Sequence, residues 1–500
     1  MQKKQFTPTL IPVGTLRKLI LVVAILCMSF NIRCFALRGD GLRVSGNSHF
    51  LTYEDGSPFY WIGDTGWALF QRLSREEVDR YLDDRKDKGF TIIHAVLYWY
   101  PHGGKQELGP LNENNFYGHP PFNGQRDLPK TSRPKILKGG ASEHPNDYWD
   151  HVEYVIDAAQ RRRLKLLILP CWGNAFINAR MANSKVVFTE KQARQYGDFL
   201  GEKFGDYKHI IWCLGGDVDP VNFGDKDQRP VYRAMAEGIG RGSSGNKRLR
   251  WNRPHEDWDQ SLITFHAVTT PETGKQEGAS SSRWFHNDAW LDFNMMETFK
   301  WLNSIYPFVS DDYNKVPVRP TILGEGAYEG GAYGEHCGFI TPHKVRIQGY
   351  QAFFAGAAGY TYGHWAIWPF RDKYCGREWE EALDTEGAWQ TSAIMKSFIS
   401  NIDIFSFHPD PSFIIDDNDR GLNYEQCSMV NNDASKFIVY FPERCSAKLD
   451  LTKIRDSDKT ICKWFDPRNG DVIAAQQNGK DIFIPPLGWE DAILILENAE

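Results

Sequence analysis

The feature that most constrains this chain is an alternation. From residue 60 to about 400, short apolar runs take turns with longer amphipathic segments, the pattern of β-strand–α-helix units that build a parallel sheet. The apolar runs fall at 60–63, 90–99, 164–171, 209–214, 262–266, 291–295, 321–323 and 360–365. Between them, Ser74 with Glu77 and Thr189 with Gln192 have capping-box spacing, which opens a helix. Residues 147–163 have helical periodicity, Thr341-Pro342 is a good N-cap and first-turn pair for a helix to 358, and a last helix runs over 389–400. Eight strands alternating with helices predict a (β/α)8 barrel. A doubly wound open sheet is the competing fold, but no GxGxxG turn follows the first strand. The segment 101–146 is too long for a connector and marks either a functional loop or an excursion.

From about residue 410 the helical period disappears. Short β-rich runs at 437–441, 461–465, 472–473, 482–484 and 492–496, separated by turn clusters, predict a small β-sandwich. The expected organisation is a leader over 1–36, a barrel with an N-terminal β-hairpin over 37–405, and the sandwich over 406–500.

The leader reading rests on Lys3, Lys4, Arg17 and Lys18, then the apolar run 19–30, then Cys34-Phe35-Ala36. These are the basic, apolar and small-residue regions of a secretory signal peptide. The run is short of the roughly 20 residues a spanning helix needs. An uncleaved anchor and a lipoprotein start at Cys27 are the alternatives; Leu26 stands where the latter wants a small residue. The expected location is therefore exported: periplasmic, extracellular or on the cell surface of a bacterium, with no stable membrane insertion after cleavage.

Removing the leader takes away five positive charges and no acids, so the formal charge moves from −6 to −11. An acidic chain with no basic stripe is a poor partner for nucleic acid. Of nine cysteines, seven remain beyond the leader, without a CxxC pair. Cys171 and Cys213 sit in apolar runs as small buried hydrophobes, and an exported protein is permitted a disulfide or two among the others. No zinc-ligand spacing, GxSxG elbow, HExxH or P-loop is present, so no metal and no cofactor are expected.

In a barrel, chemistry sits at the C-terminal ends of the strands. Two acids stand there behind apolar runs and beside glycine: Asp217 in Gly215-Gly216-Asp217 after the fourth strand, and Glu325 in Gly324-Glu325 after the seventh. Strands four and seven face each other across the mouth, so the pair can straddle a sugar. Hydrolysis of a glycosidic bond needs two such carboxyls, one to protonate the leaving oxygen and one to attack or stabilise the anomeric carbon. The plain alternative for each acid is a helix cap. Around them, Trp67, Tyr98, Trp99, Trp172, Tyr328, Trp365 and Trp368 fall near strand ends, where aromatic faces can stack on sugar rings. His266 ends the fifth strand and can bond a hydroxyl or the nucleophile. Asp64 is read as binding a sugar hydroxyl, with a cap on the first helix as the alternative.

The runs FYWIGDTGWALF, HIIWCLGGDVDP, ITFHAV, SSSRWFHNDAWLDFNMMETF and RPTILGEGAYEG, in that order, resemble the apiosidase-like catalytic domain of bacterial glycoside hydrolases. The tail runs CKWFDPRNGDVI, IFIPP and WEDAILIL resemble the collagen-binding-type β-sandwich that often follows that domain. The resemblance covers nearly all of the chain beyond the leader. It implies that Asp217 is the acid/base and Glu325 the nucleophile of a retaining glycosidase acting on an oligo- or polysaccharide. One departure stands out: where the family often reads QSGH, this chain has Glu297-Thr298-Phe299, near the mouth of strand six. That bears on apiose specificity more than on fold or reaction class. The other functional readings of this architecture are a carbohydrate-binding protein on a degenerate barrel and a surface adhesion protein led by the sandwich.

Overall fold

The computed structural model describes residues 41–99, 101–102, 107–108, 111–179, 185–221, 226–268, 280–334, 337–370, 376–415, 424–476 and 481–499. The expected leader and Cys375 lie outside these residues. Eight parallel strands form the barrel: β1 (Trp61–Thr65), β2 (Ile92–Val96), β3 (Lys165–Leu169), β4 (Ile210–Gly215), β5 (Ile263–His266), β6 (Asn294–Glu297), β7 (Thr321–Glu325) and β8 (Gly359–Tyr362). Each pairs with its neighbour in chain order except β5 with β6, and β8 pairs back onto β1. Between β5 and β6 the wall closes through the Asp292 amide, which donates to the Ile263 carbonyl at 3.0 Å, and Thr264 Oγ1, which donates to the Phe293 carbonyl at 2.8 Å.

Local chemistry sets the helices. Helix α1 (Arg75–Lys88) starts with the expected capping box: Ser74 accepts from the Glu77 amide, and Glu77 accepts from the Ser74 amide. It ends at Gly89, whose φ of 102° is a left-handed cap. Helices α2 (Glu190–Phe204) and α3 (Arg229–Ser244), flanking β4, pack so closely that a Cβ on Gly201 would stand 2.2 Å from the Ile239 carbonyl oxygen. Glycines on both helices let the backbones meet and hold β4 from outside.

Several strand boundaries differ from the sequence reading, two of them for one reason. The second apolar run continues past β2 because Leu97, Tyr98 and Trp99 are buried in the loop beyond it. The sixth begins before β6 because Trp290, Leu291 and Phe293 are buried in the approach to the strand. The pattern reads burial, and these loops are as buried as the strands. The long segment after β2 carries two small hairpins, Pro101–His102 with Glu107–Leu108 and Phe122–Gln125 with Leu128–Pro134.

The tail is a six-stranded antiparallel sheet facing a two-stranded one, Ala447–Lys448 with Ile482–Phe483. Its central strands Lys436–Phe441 and Ala492–Asn498 alternate between two cores. Phe437, Val439, Phe441, Leu494 and Leu496 face the interior of the tail. Ile438, Tyr440, Ile493 and Ile495 face the barrel, where they join Tyr350, Phe354, Phe398 and Ile402. At this seam Arg346 and Asp491, both fully buried, form an ion pair at 2.7 Å, with Tyr440 donating to the same carboxylate and Gln390 accepting from Arg346. Among the described residues Cys171 and Cys213 are buried free thiols, and no helix is long and apolar enough to cross a membrane.

Candidate active site

The mouth of the barrel brings Asp217, His266 and Glu325 together: one side-chain donor atom from each lies within 4.8 Å of the others. Asp217 gets there through an unusual turn. Gly215, Gly216 and Asp217 all have positive φ, at 92°, 111° and 45°. A Cβ on Gly215 would meet the His266 carbonyl oxygen at 2.3 Å, and one on Gly216 would meet the Trp172 ring at 2.8 Å. Only glycine fits both positions. Asp217 itself, held left-handed, carries backbone strain of about 1–2 kcal/mol, of the kind that collects at functional sites.

Glu325 ends β7 and is fixed by two donors. His266 Nε2 lies 2.8 Å from its Oε2, and the Tyr328 hydroxyl donates to its Oε1. Tyr328 is fixed in turn by Trp67, whose Nε1–H donates to the hydroxyl at 2.6 Å. His266, fully buried at the end of β5, accepts at Nδ1 from the Asp217 amide at 3.4 Å, so its Nε2 carries the proton given to Glu325. Three donor atoms this close are also the spacing of a cation site. With both ring nitrogens of His266 engaged, however, the imidazole has no lone pair to offer a metal.

A third acid completes the cluster. Glu297 ends β6, is 4% exposed, and stands beside Glu325 in the strand register. Its carboxyl interacts electrostatically with those of Asp217 and Glu325. Burial first, then the charges of Asp217 and Glu325, push Glu297 well above the usual carboxylate range. Burial, followed by the charge of Glu325, pushes Asp217 up to about 7, while His266 and Glu297 pull the other way. Burial lowers His266, but its bond to Glu325 and the charges of Glu325 and Asp217 outweigh that and leave it above the ordinary imidazole value. A raised acid beside a second, firmly oriented carboxyl can do acid/base work next to a charged partner.

The aromatic residues divide into three groups. Trp67 and Trp172 are buried against the cluster, with ring centroids 5.7 and 5.9 Å from that of His266. Trp99 is sandwiched, stacked on Trp172 at 4.8 Å and on Trp368 at 5.7 Å, so neither of its faces is open to a sugar. Its Nε1–H finds no acceptor among the described residues and is the part of Trp99 that a ligand oxygen can use. Trp365 and Trp368, half-buried, line the rim with Tyr333 and Tyr328.

Two expected site residues belong elsewhere. Tyr98 is buried with its ring stacked 4.1 Å from Phe176 and its hydroxyl spent on the Leu111 carbonyl, so it anchors a loop. Asp64 is fully buried and bonded to the Thr65 amide, Tyr81 and Arg85. It ties β1 to α1 and has no surface at the mouth. Conversely, Glu297, Tyr333 and Phe299 join the site. Glu297 meets the criterion that singles out Asp217 and Glu325, an acid at a strand end; the apolar run stops at 295, so the sequence marks Glu297 only as a departure near the mouth of strand six.

The chain has counterparts among known proteins. The family described as "Apiosidase-like, catalytic domain" matches residues 45–406, and that described as "Putative collagen-binding domain of a collagenase" matches 408–497. Among solved structures, one named "Glycoside hydrolase" is 25% identical, with a TM-score of 0.74 over 92% of this chain and 97% of its own. A glycoside hydrolase family 5 structure from Bacteroides vulgatus ATCC 8482 is also 25% identical, with a TM-score of 0.74 over 92% and 93%. A third, from the same organism, shares only 10% identity at a TM-score of 0.53 and speaks to the fold alone. No curated protein matches the chain. The protein is a glycoside hydrolase, and its substrate is a carbohydrate. Within that class, the chain belongs to the apiosidase-like catalytic domain family.

Proposed function

We propose that the protein is a retaining glycosidase that removes a neutral sugar from a plant or microbial polysaccharide outside the cytoplasm. The observation that carries the mechanism is the spacing of the two carboxyls: oxygens of Asp217 and Glu325 lie within 4.8 Å of each other. Retaining enzymes hold their pair about 5–5.5 Å apart, whereas inverting enzymes leave about 6.5–9.5 Å for a water. In this reading, Asp217 protonates the departing oxygen as Glu325 attacks the anomeric carbon, forming a glycosyl ester on Glu325. Water, deprotonated by Asp217, then cleaves that ester and restores both groups. A pKa of about 7 suits Asp217 to give and take a proton near neutrality.

The preference for a neutral ring follows from charge. Asp217, Asp219, Glu297 and Glu325 interact electrostatically at the mouth. A uronate would meet repulsion there. A binding-only barrel would not need its carboxyls within reach of one anomeric carbon. For the tail, the exposed large apolar side chains Ile415, Ile461, Val472, Ile473, Ile482 and Leu487 are all aliphatic. They offer a sugar no stacking face, and packing against the barrel is the role we assign to this domain. Export rests on the basic-then-apolar leader.

The test is to incubate the protein, Asp217→Ala and Glu325→Ala with a panel of neutral and uronate-bearing plant and microbial polysaccharides, and to identify released sugars by chromatography. Release of a neutral sugar by wild type, with at least about a hundredfold loss in both variants, is expected. Variants as active as wild type would refute the assignment.

A further inference from the structure

We propose that the cavity between the loops after β1, β2 and β8 is a second sugar subsite, which holds a neutral unit of the polysaccharide away from the scissile bond. The proposal rests on the glycosidase reading for its class of ligand. One wall is the long segment after β2, which the sequence marks as too long for a connector; Glu113, Asn115 and Phe116 line the cavity from it. Gln71 and Arg72, in the short helical turn after β1, form the second wall, and Phe370 after β8 the third. The cavity holds about 310 Å³, at the lower end of the range of ligand pockets, about 300–1,000 Å³.

It adjoins the catalytic mouth without sharing a residue with the carboxyl cluster. Gln71 follows Trp67 on the same loop, and Trp67 packs against His266. Phe370 lies two residues beyond Trp368, a reach of at most about 7 Å along the chain. Trp368 stacks on Trp99 at the rim. The Ala68 amide donates to the Trp368 carbonyl at 3.2 Å and ties the two loops together. A glycan bound across Trp368 therefore has the cavity next to it.

Two side-chain amides in the wall have one end fixed and the other unmatched. Gln71, 4% exposed, donates from Nε2 to the Val96 carbonyl at 2.7 Å and to the Tyr148 hydroxyl at 3.2 Å. Asn115, 5% exposed, accepts the Tyr117 and His119 amides on Oδ1, both at 3.1 Å. Turning either amide over would set oxygen against carbonyl oxygen or N–H against N–H, so both orientations are fixed. What remains is an acceptor, Gln71 Oε1, and a donor, Asn115 Nδ2, and neither meets a partner among the described residues. Unmatched buried polar atoms are costly, and hydroxyl groups fill both roles. Arg72 and Glu113 stand on the lining with opposite charges, which favours a neutral ligand over an ion of either sign. Phe116, 55% exposed, offers a ring to the apolar C–H face of a sugar. Water can answer the two amides but has no use for that ring, and on this point the two occupants differ.

The experiment is affinity electrophoresis of the whole chain in native gels holding a neutral xylan, galactan, arabinan or mannan, or polygalacturonate, with mobility measured against a sugar-free gel. Wild type is compared with Phe116→Ala and with Asn115→Asp, which keeps the Oδ1 that the loop needs but has no N–H to give. Leu128→Ala, at an exposed position of the same segment outside the cavity, is the control. At least one neutral polysaccharide is expected to retard wild type and the control equally, and to bind the two cavity variants about three- to tenfold more weakly at unchanged melting temperature. Equal retardation of all the proteins, no retardation of wild type by any neutral polysaccharide, or an effect confined to polygalacturonate would overturn the subsite. If Asn115→Asp melts lower, Phe116→Ala, on an exposed side chain, decides alone. Because the gel reads binding, a cavity-dependent retardation by polysaccharides that wild type never cleaves would count against the proposed reaction and leave the subsite standing. Sugar release with equal retardation of all the proteins would do the reverse.

Discussion

Replacing Tyr328 by Phe removes one hydroxyl and two hydrogen bonds. One is donated to Glu325 Oε1, and the other is accepted from Trp67 Nε1 at 2.6 Å. With the hydroxyl gone, Glu325 is oriented by His266 alone and can turn about its last torsion. A hydrogen bond to a charged group is worth about 1.5–3 kcal/mol, which corresponds to roughly a 10- to 150-fold fall in kcat/KM if the bond serves to aim the carboxylate. The second lost bond leaves the Trp67 N–H, on a ring 1% exposed, without its acceptor. That costs stability, about 1–3 kcal/mol. The assay pairs initial rates on an activated aryl glycoside that wild type cleaves with thermal melts of both proteins at the same pH. The expected result is a lower melting temperature and a rate loss that persists well below it. A variant within about threefold of wild type, still folded, would show that the Trp67–Tyr328–Glu325 chain does not aim the nucleophile.

Three further outcomes follow from the same geometry. Asp217 is raised to about 7 in the folded chain from an ordinary 3.8. The unfolded chain therefore loses this proton first, and the folded form loses stability as pH climbs between those values; Asp217→Asn should melt higher than wild type at pH 8 and converge with it near pH 4, and the reverse order would contradict the assignment. Asp491→Asn leaves the buried Arg346 with Gln390 and the half-exposed Glu490, and should cost about 3 kcal/mol or more in urea unfolding; a change below about 1 kcal/mol would mean that the seam is held by its apolar contacts. Because both nitrogens of His266 are engaged, dialysis against EDTA should leave the rate unchanged, and restoration of a lost rate by a divalent cation would overturn that reading.

Much of this was legible in the sequence because barrel strands are buried on both faces and read as unbroken apolar runs. The strand-end rule then singled out Asp217 and Glu325 without any structure. It failed where burial outran the strand. Leu291 and Phe293 are as buried as β6 itself, so the apolar run ends at 295 and leaves Glu297 beyond it, near the mouth of strand six. Asp64 failed the other way, since a strand-end acid can turn outward to a helix as readily as inward to the mouth, and the Tyr81–Arg85 partners that fix its direction lie a helix away. The aromatics show a similar limit. Sequence placed Trp99 and Trp172 at the mouth, but only packing shows that they stack on each other. The interaction between Asp217 and Glu297 joins residues 80 positions apart, and no periodicity records it.

The most direct test of the central claim is to trap the glycosyl-enzyme. Wild type would be incubated with 2-deoxy-2-fluoro glycosides bearing a good leaving group, matched to the sugar it releases, and the labelled protein mapped by peptide mass spectrometry. A retaining mechanism with Glu325 as nucleophile predicts one equivalent of adduct on the peptide containing Glu325, slow to hydrolyse and absent in Glu325→Gln. An adduct on Asp217 or Glu297, or the inverted anomer as first product in proton NMR of a normal substrate, would contradict it.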